Sequence, residues 1–157
     1  MRKHYQKIFA FFFAISSLVL ILTGCSKKEN SSNKNSIVTS TNVYADIAQN
    51  VLGKYGKATA IITNSATDPH DFEPTTADAK KVQNAKIVVA NGLGYDSWLP
   101  KLAKSTNKSA VLVGEDLMNL KNGANPHIWF DLNMPKKYVN YLVERLSKID
   151  KKHAAYY

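Results

Sequence analysis

The chain has 157 residues and a formal net charge of +9, carried by 21 Lys and Arg against 12 Asp and Glu. A chain of this length supports one domain with a core that needs no disulfide, and its apolar and charged content excludes wholesale disorder. The basic residues are scattered, with no stripe or aromatic interleaving, which argues against nucleic acid as a partner.

Residues 1–24 read as a secretory signal peptide. Arg2, Lys3 and Lys7 precede a fifteen-residue, nearly all apolar run from Ile8 to Leu22. A basic start and a short apolar run are the layout of an export signal, and the run is short for a membrane-spanning helix. Removing it lowers the net charge from +9 to about +6. Cys25 is the only cysteine, so no intrachain disulfide can form. Its setting, Leu22-Thr23-Gly24-Cys25, resembles the lipobox of bacterial lipoproteins. That resemblance implies cleavage before Cys25 and a diacylglycerol on its sulfur, and two acyl chains anchor stably where one does not. Residues 25–36 are then the lipidated cysteine and a tether: Ser26 to Ser36 is rich in Ser, Asn and Lys and has nothing to pack. The expected location is the outer face of the bacterial cell membrane, exported and lipid-anchored.

From Ile37 onward short apolar runs alternate with helical stretches. Ile37 to Thr41 reads as a strand. Val43 to Tyr55 is a helix with Val43, Ile47, Val51 and Leu52 at helical spacing and Asn42 as cap. Ala58 to Thr63 is a second strand, and Thr75 to Ala85 a helix capped by Thr75 or Thr76. Lys86 to Asn91 is a third strand, Asp96 to Lys104 a helix around Trp98, Leu99 and Leu102, and Ser109 to Val113 a fourth strand. A long amphipathic helix starts at Met134 or Pro135, with Tyr138, Tyr141, Leu142, Leu146 and Ile149 on its apolar side. This alternation predicts an α/β fold: a mostly parallel four-stranded sheet flanked by helices. Ligands of such sheets sit in the loops beyond the strands' carboxyl ends. Gly92-Leu93-Gly94 lacks the third glycine of a dinucleotide loop and reads as a tight strand-to-helix turn.

Two of the four histidines occur in matched settings: Asp68-Pro69-His70-Asp71 and Asn125-Pro126-His127, the latter followed by Asp131. His4 leaves with the signal, and His153, in a charged stretch, reads as a surface residue. A preceding proline narrows the backbone freedom of each histidine. Neutral imidazole is a good ligand for Zn²⁺ and related ions, and a nearby carboxylate can hold its other nitrogen. His70 and His127 are therefore the candidate metal ligands, with Asp68, Asp71 and Asp131 as candidates to orient them.

The segments DPHDFEPTTAD, NGLGYDSWL and NPHIWFD resemble, in that order, three motifs of the zinc- and manganese-specific solute-binding receptors of ABC importers, the TroA or ZnuA-like family. The resemblance runs from Ile37 to Tyr157. It implies that residues 37–157 are the N-terminal metal-binding lobe of a bilobal solute-binding protein, with His70 and His127 as direct ligands. It further implies capture of Zn²⁺ or Mn²⁺ as transported cargo, delivery to an ABC permease, and no enzymatic activity. Family members carry a second lobe across a long helix. Lys148 to Tyr157 resembles the approach to that helix, and the expectation is a truncated form without the second lobe. Two imidazoles fill half of a closed zinc site, so weak, poorly selective binding is expected of this chain alone. Loss of a packing partner also predicts exposed apolar surface.

A hydrolase is disfavoured because neither a G-x-S-x-G elbow nor an H-E-x-x-H helix occurs. The remaining alternative is an adhesin-type surface lipoprotein whose histidines are incidental.

Overall fold

A computed structural model describes residues 35–121 and 123–157. The expected signal, the Cys25 lipidation site and most of the tether lie outside them. In chain order the elements are β1 (Asn35–Thr41), α1 (Asn42–Leu52), β2 (Gly56–Ile62), α2 (Thr76–Asn84), β3 (Ile87–Ala90), α3 (Trp98–Ser105), β4 (Ala110–Leu112) and α4 (Asn133–Ile149). Short 3-10 turns follow α1, precede α4 and follow α4, and a π-type turn, Val113–Leu117, follows β4. Among the described residues, no helix is long and apolar enough to cross a membrane.

The four strands form one parallel sheet in the order β2-β1-β3-β4. Strand alternation divides the core between its faces. Ile37, Ile87 and Val89 point to one side, where Tyr44, Ala48 and Leu52 of α1 and Met134, Tyr138, Leu142 and Leu146 of α4 cover them. Val38, Val88 and Ala90 point to the other, beneath Val82 of α2 and Trp98, Leu99 and Ala103 of α3. The helices thus change sides between β1 and β3, and the crevice at such a switch is where open α/β sheets bind ligands.

Several sequence expectations shift in detail. β1 begins at Asn35, inside the expected tether. The Asn35 amide is buried and donates to Asp150 Oδ2 at 2.7 Å and to the Tyr157 hydroxyl at 3.0 Å. Asn42 is the first residue of α1; Thr41 occupies the cap position and makes no side-chain cap bond. Ile149 is 41 % exposed rather than packed. α4 stops there, and residues 150–157 turn back instead of continuing as a helix. His153 is not a free surface residue: its ring stacks on Tyr55 at 4.0 Å and its Nδ1 lies 2.9 Å from Asp150 Oδ2.

The expected cap of α2 forms at Thr75. Its hydroxyl accepts from the Asp78 backbone N–H, and the Asp78 carboxylate accepts the Thr75 backbone N–H at 3.0 Å, a reciprocal capping box. Burial alone would raise the Asp78 carboxyl, but hydrogen bonds from Lys81 and Thr75 outweigh it and hold it below its ordinary value. Asp78→Ala should cost about 1 kcal/mol at neutral pH. Because the folded value is the lower one, the ionised carboxylate stabilises above the ordinary value of 3.8 and loses that effect as pH falls through the folded value. Urea unfolding of both proteins at neutral pH and at about pH 2 checks this: the stability gap should close in acid, and a constant gap would refute it.

Candidate metal site

Both Pro-His loops lie at the carboxyl ends of the strands. His70 is in the connection from β2 to α2, and His127 leads into the 3-10 turn Ile128–Phe130 before α4. The two loops are built alike. The His70 backbone N–H donates to Asp68 Oδ1 at 2.9 Å, and the His127 backbone N–H to Asn125 Oδ1 at 3.0 Å. Each is an Asx turn spanning a proline, so proline geometry and a side-chain acceptor together fix the histidine backbone.

A single segment, Asn91 to Trp98, clamps both loops. The indole Nε1–H of Trp98 donates to the Pro69 carbonyl at 3.0 Å, and Asn91 Nδ2 donates to the Pro126 carbonyl at 3.1 Å. Between these clamps, Tyr95 reaches both imidazoles. Its ring centroid is 5.0 Å from that of His70, edge to face, and 6.3 Å from that of His127. Trp129 closes the far side, 5.2 Å from Tyr95 and 5.1 Å from His127. Both histidines are exposed. Beside Tyr95 and Trp129 lies a half-open cleft of about 220 Å³, bordered by Thr41, Val43, Ile62 and Thr63.

The clamp segment is itself pinned from below. Asp96 is fully buried and accepts the backbone N–H of Asn91 at 2.6 Å and of Gly92 at 3.0 Å. Burial pushes its carboxyl up from the ordinary range, while the backbone hydrogen bonds from Asn91 and Gly92 favour the charged form. Asn91, also fully buried, accepts from the Tyr44 hydroxyl. Burial and the carboxylates of Asp68 and Asp96 raise the Tyr95 hydroxyl, which is therefore neutral near pH 7.

The group on the His127 ring is Asn125, not the expected Asp131. Asn125 Oδ1 lies 2.7 Å from His127 Nδ1 while also accepting the His127 backbone N–H. An amide oxygen only accepts, so a hydrogen bond here puts the proton on Nδ1 and leaves the Nε2 lone pair for a ligand. Asp131 Oδ1 instead accepts from the backbone N–H and side-chain amide of Asn133, at 2.8 and 3.1 Å. Asp68 acts on the His70 backbone rather than its ring, and Asp71 is exposed. The sequence reading missed Asn125, Asn91, Tyr95, Trp98 and Asp96. An Asp or Asn two residues before each histidine was the available signal for the Asx turns.

The two loops are also acidic in a basic protein. Asp68, Asp71, Glu73 and Asp131 are all exposed, and neither 64–75 nor 123–134 contains a Lys or Arg. Among the described residues, no group of three or more His, Cys, Asp and Glu side chains converges to hold an ion. The site offers two exposed imidazoles, one on either loop and each near Tyr95, in loops whose own charges are acidic.

The chain is thus a parallel α/β sheet that presents a pair of loop histidines at its carboxyl edge. The sequence matches the family described as "ZnuA: Zinc-uptake complex component A periplasmic" over residues 37–157, and the chain belongs to that family. It is 29 % identical to the manganese-binding lipoprotein MntA of Halalkalibacterium halodurans, over 97 % of this chain and 53 % of that protein. It is 31 % identical to the metal ABC transporter substrate-binding lipoprotein FimA of Streptococcus parasanguinis, over 97 % of this chain and 54 % of the relative. The crystal structure of the metal-dependent lipoprotein YcdH of Bacillus subtilis superposes with a TM-score of 0.66 at 26 % identity, covering 78 % of this chain and 47 % of YcdH. The chain spans about half the length of the curated relatives it matches.

Proposed function

We propose that these residues are the N-terminal metal-capturing lobe of an exported solute-binding lipoprotein serving an ABC importer, with Zn²⁺ or Mn²⁺ as cargo and the permease as partner. His70 and His127 are the ligands from this lobe. Residues 1–24 act as the signal peptide, Cys25 carries the lipid that holds the protein on the outer face of the cell membrane, and the following residues tether the lobe. The role is capture and delivery rather than catalysis. One observation carries the reading: two Asx-Pro-His turns, clamped by one segment, hold both imidazoles beside Tyr95 at the sheet's carboxyl edge. The Nδ1 bond of His127 to Asn125 supports ligation through Nε2. Matched, clamped histidines also favour a metal role over the adhesin alternative, in which they would be incidental.

Isothermal titration of Zn²⁺ and Mn²⁺ into dilute chain tests this. Two ligands with water completing the shell should bind Zn²⁺ weakly, with Kd above about 1 μM. His127→Ala or His70→Ala should weaken binding at least roughly tenfold, the equivalent of about 1.4 kcal/mol. Sub-micromolar binding by a monomer would refute the two-ligand account. Unchanged binding in the double alanine variant would refute the residue assignment.

A further inference from the structure

We propose that the amino edge of the sheet is a docking face for anionic phospholipid, on which the fold stands with its histidine loops turned away from the bilayer. The inference rests on the lipid-anchor reading above and adds an orientation to it.

Lysines that are scattered in the sequence gather at this edge. The strands are parallel, and their pairing sets Asn35 beside Gly56, Ile37 beside Ile87 and Val88 beside Ala110, so all four begin along one side. Lys54 lies in the turn before β2 and Lys57 is the second residue of that strand. Lys86 immediately precedes β3, and Lys104 sits in the last turn of α3, just ahead of β4. All four are exposed. Lys108 adds a fifth charge, its ammonium donating to the Ala85 carbonyl at 3.0 Å. The stretches 35–37, 53–57, 84–86 and 104–110 that form this edge contain no Asp or Glu. Asp150, the carboxylate beside the start of β1, is taken up by the side chains of Asn35, His153 and Tyr157. The histidine loops show the reverse: Asp68, Asp71, Glu73 and Asp131 are exposed there with no Lys or Arg among them. Charge is therefore segregated to the two ends of the strands, and a negative surface attracts one end and repels the other.

The anchor singles out a membrane among negative partners. β1 begins ten residues after Cys25, and ten residues span at most about 36 Å in any conformation. The basic edge is thus the end of the fold tied to the acylated cysteine. Lys27, Lys28 and Lys34 in that connection add three more positive charges. A single lysine attracts anionic headgroups weakly, but a cluster beside a lipid anchor acts together, over a Debye length of about 8 Å at physiological salt.

The full chain, reconstituted into vesicles of phosphatidylcholine alone or of equal parts phosphatidylcholine and phosphatidylglycerol, tests the proposal. The readout is amine-reactive labelling of each lysine, followed by peptide mass spectrometry, with flotation to measure attachment. On the anionic vesicles Lys54, Lys57, Lys86 and Lys104 should label at least roughly threefold more slowly than on the neutral ones. Salt at about 0.5 M, where the Debye length shrinks to roughly 4 Å, should remove that protection. Lys136 and Lys137, exposed near the start of α4, should label alike on both. Lys57→Gln combined with Lys86→Gln should lower the protection of Lys54 and Lys104 roughly twofold with the thermal midpoint unchanged. A chain that floats with both vesicles but labels equally on them would overturn the docking face and leave the anchor reading intact. A chain that floats with neither would overturn both. Equal protection of Lys136 and Lys137 would overturn the orientation, and full protection in the double variant would overturn the assigned face.

Discussion

Asn91→Ala is expected to destabilise the fold by about 3 kcal/mol and to weaken the proposed metal binding without touching either histidine. Asn91 sits fully buried at the end of β3 and makes three side-chain hydrogen bonds: it accepts from Tyr44 and donates to the Gly92 and Pro126 carbonyls. Truncation leaves the Tyr44 hydroxyl without a partner in a site closed to water, where burial already raises its pKa strongly. An orphaned buried polar group costs about 1–3 kcal/mol, and the vacated volume adds a smaller amount. The Pro126 carbonyl keeps its bond from the Ile128 N–H at 2.8 Å, so the loop loosens rather than unfolds. A thermal scan should show the midpoint lowered by roughly 10 °C. Zinc titration below that midpoint should show weaker binding, because His127 rides on the released loop. A variant that melts and binds like the parent would mean that the Asn91 clamp has no energetic role.

That prediction joins residues that sequence reasoning kept apart. The strands were legible because strands covered on both faces read as unbroken apolar runs, as in Ile87-Val88-Val89-Ala90. The helices were legible where their apolar spacing met a local cap, as at Thr75. Errors fell where distant partners decide. β1 starts at Asn35 because Asp150 and Tyr157, more than 110 positions away, receive its side chain. His153 is likewise fixed by a distant partner, the Tyr55 ring on which it stacks, although its other partner, Asp150, is local. The site shows the same split. Matched Pro-His loops mark both candidate ligands, since proline and histidine act locally. Their clamps do not follow from local pattern, because Trp98 and Asn91 reach their proline carbonyls across 29 and 35 positions. Asp131 was expected on the imidazole for its charge, yet an Asx turn spends its acceptor on Asn133, and neutral Asn125 takes the ring.

The turn that carries Tyr95 gives the second large effect: Gly92→Ala should cost about 2–4 kcal/mol and disturb both histidine contacts. Gly92, Leu93 and Gly94 have φ of +80°, +56° and +82°, three successive residues in left-handed backbone. Leu93, 5 % exposed, already bears that strain as a non-glycine residue, so the turn has little tolerance left. An alanine at 92 adds about 1 kcal/mol of backbone strain. Its Cβ would also lie 1.9 Å from Glu115 Oε2, a buried oxygen with no partner. Glu115 cannot swing away freely, because its other oxygen accepts the Leu93 N–H at 2.8 Å. The clash and the strain separate in a double-mutant cycle with Glu115→Ala, followed by urea unfolding. If the steric contact matters, Gly92→Ala should cost measurably less in the Glu115→Ala background, leaving mainly the backbone component. Equal costs in both backgrounds would assign the whole effect to backbone conformation. The Gly92 N–H is one of the two that hold Asp96, so a displaced turn also frees a buried carboxylate. The loss should therefore reach Tyr95 next door and weaken the zinc response, although Gly92 itself faces Glu115 rather than the imidazoles.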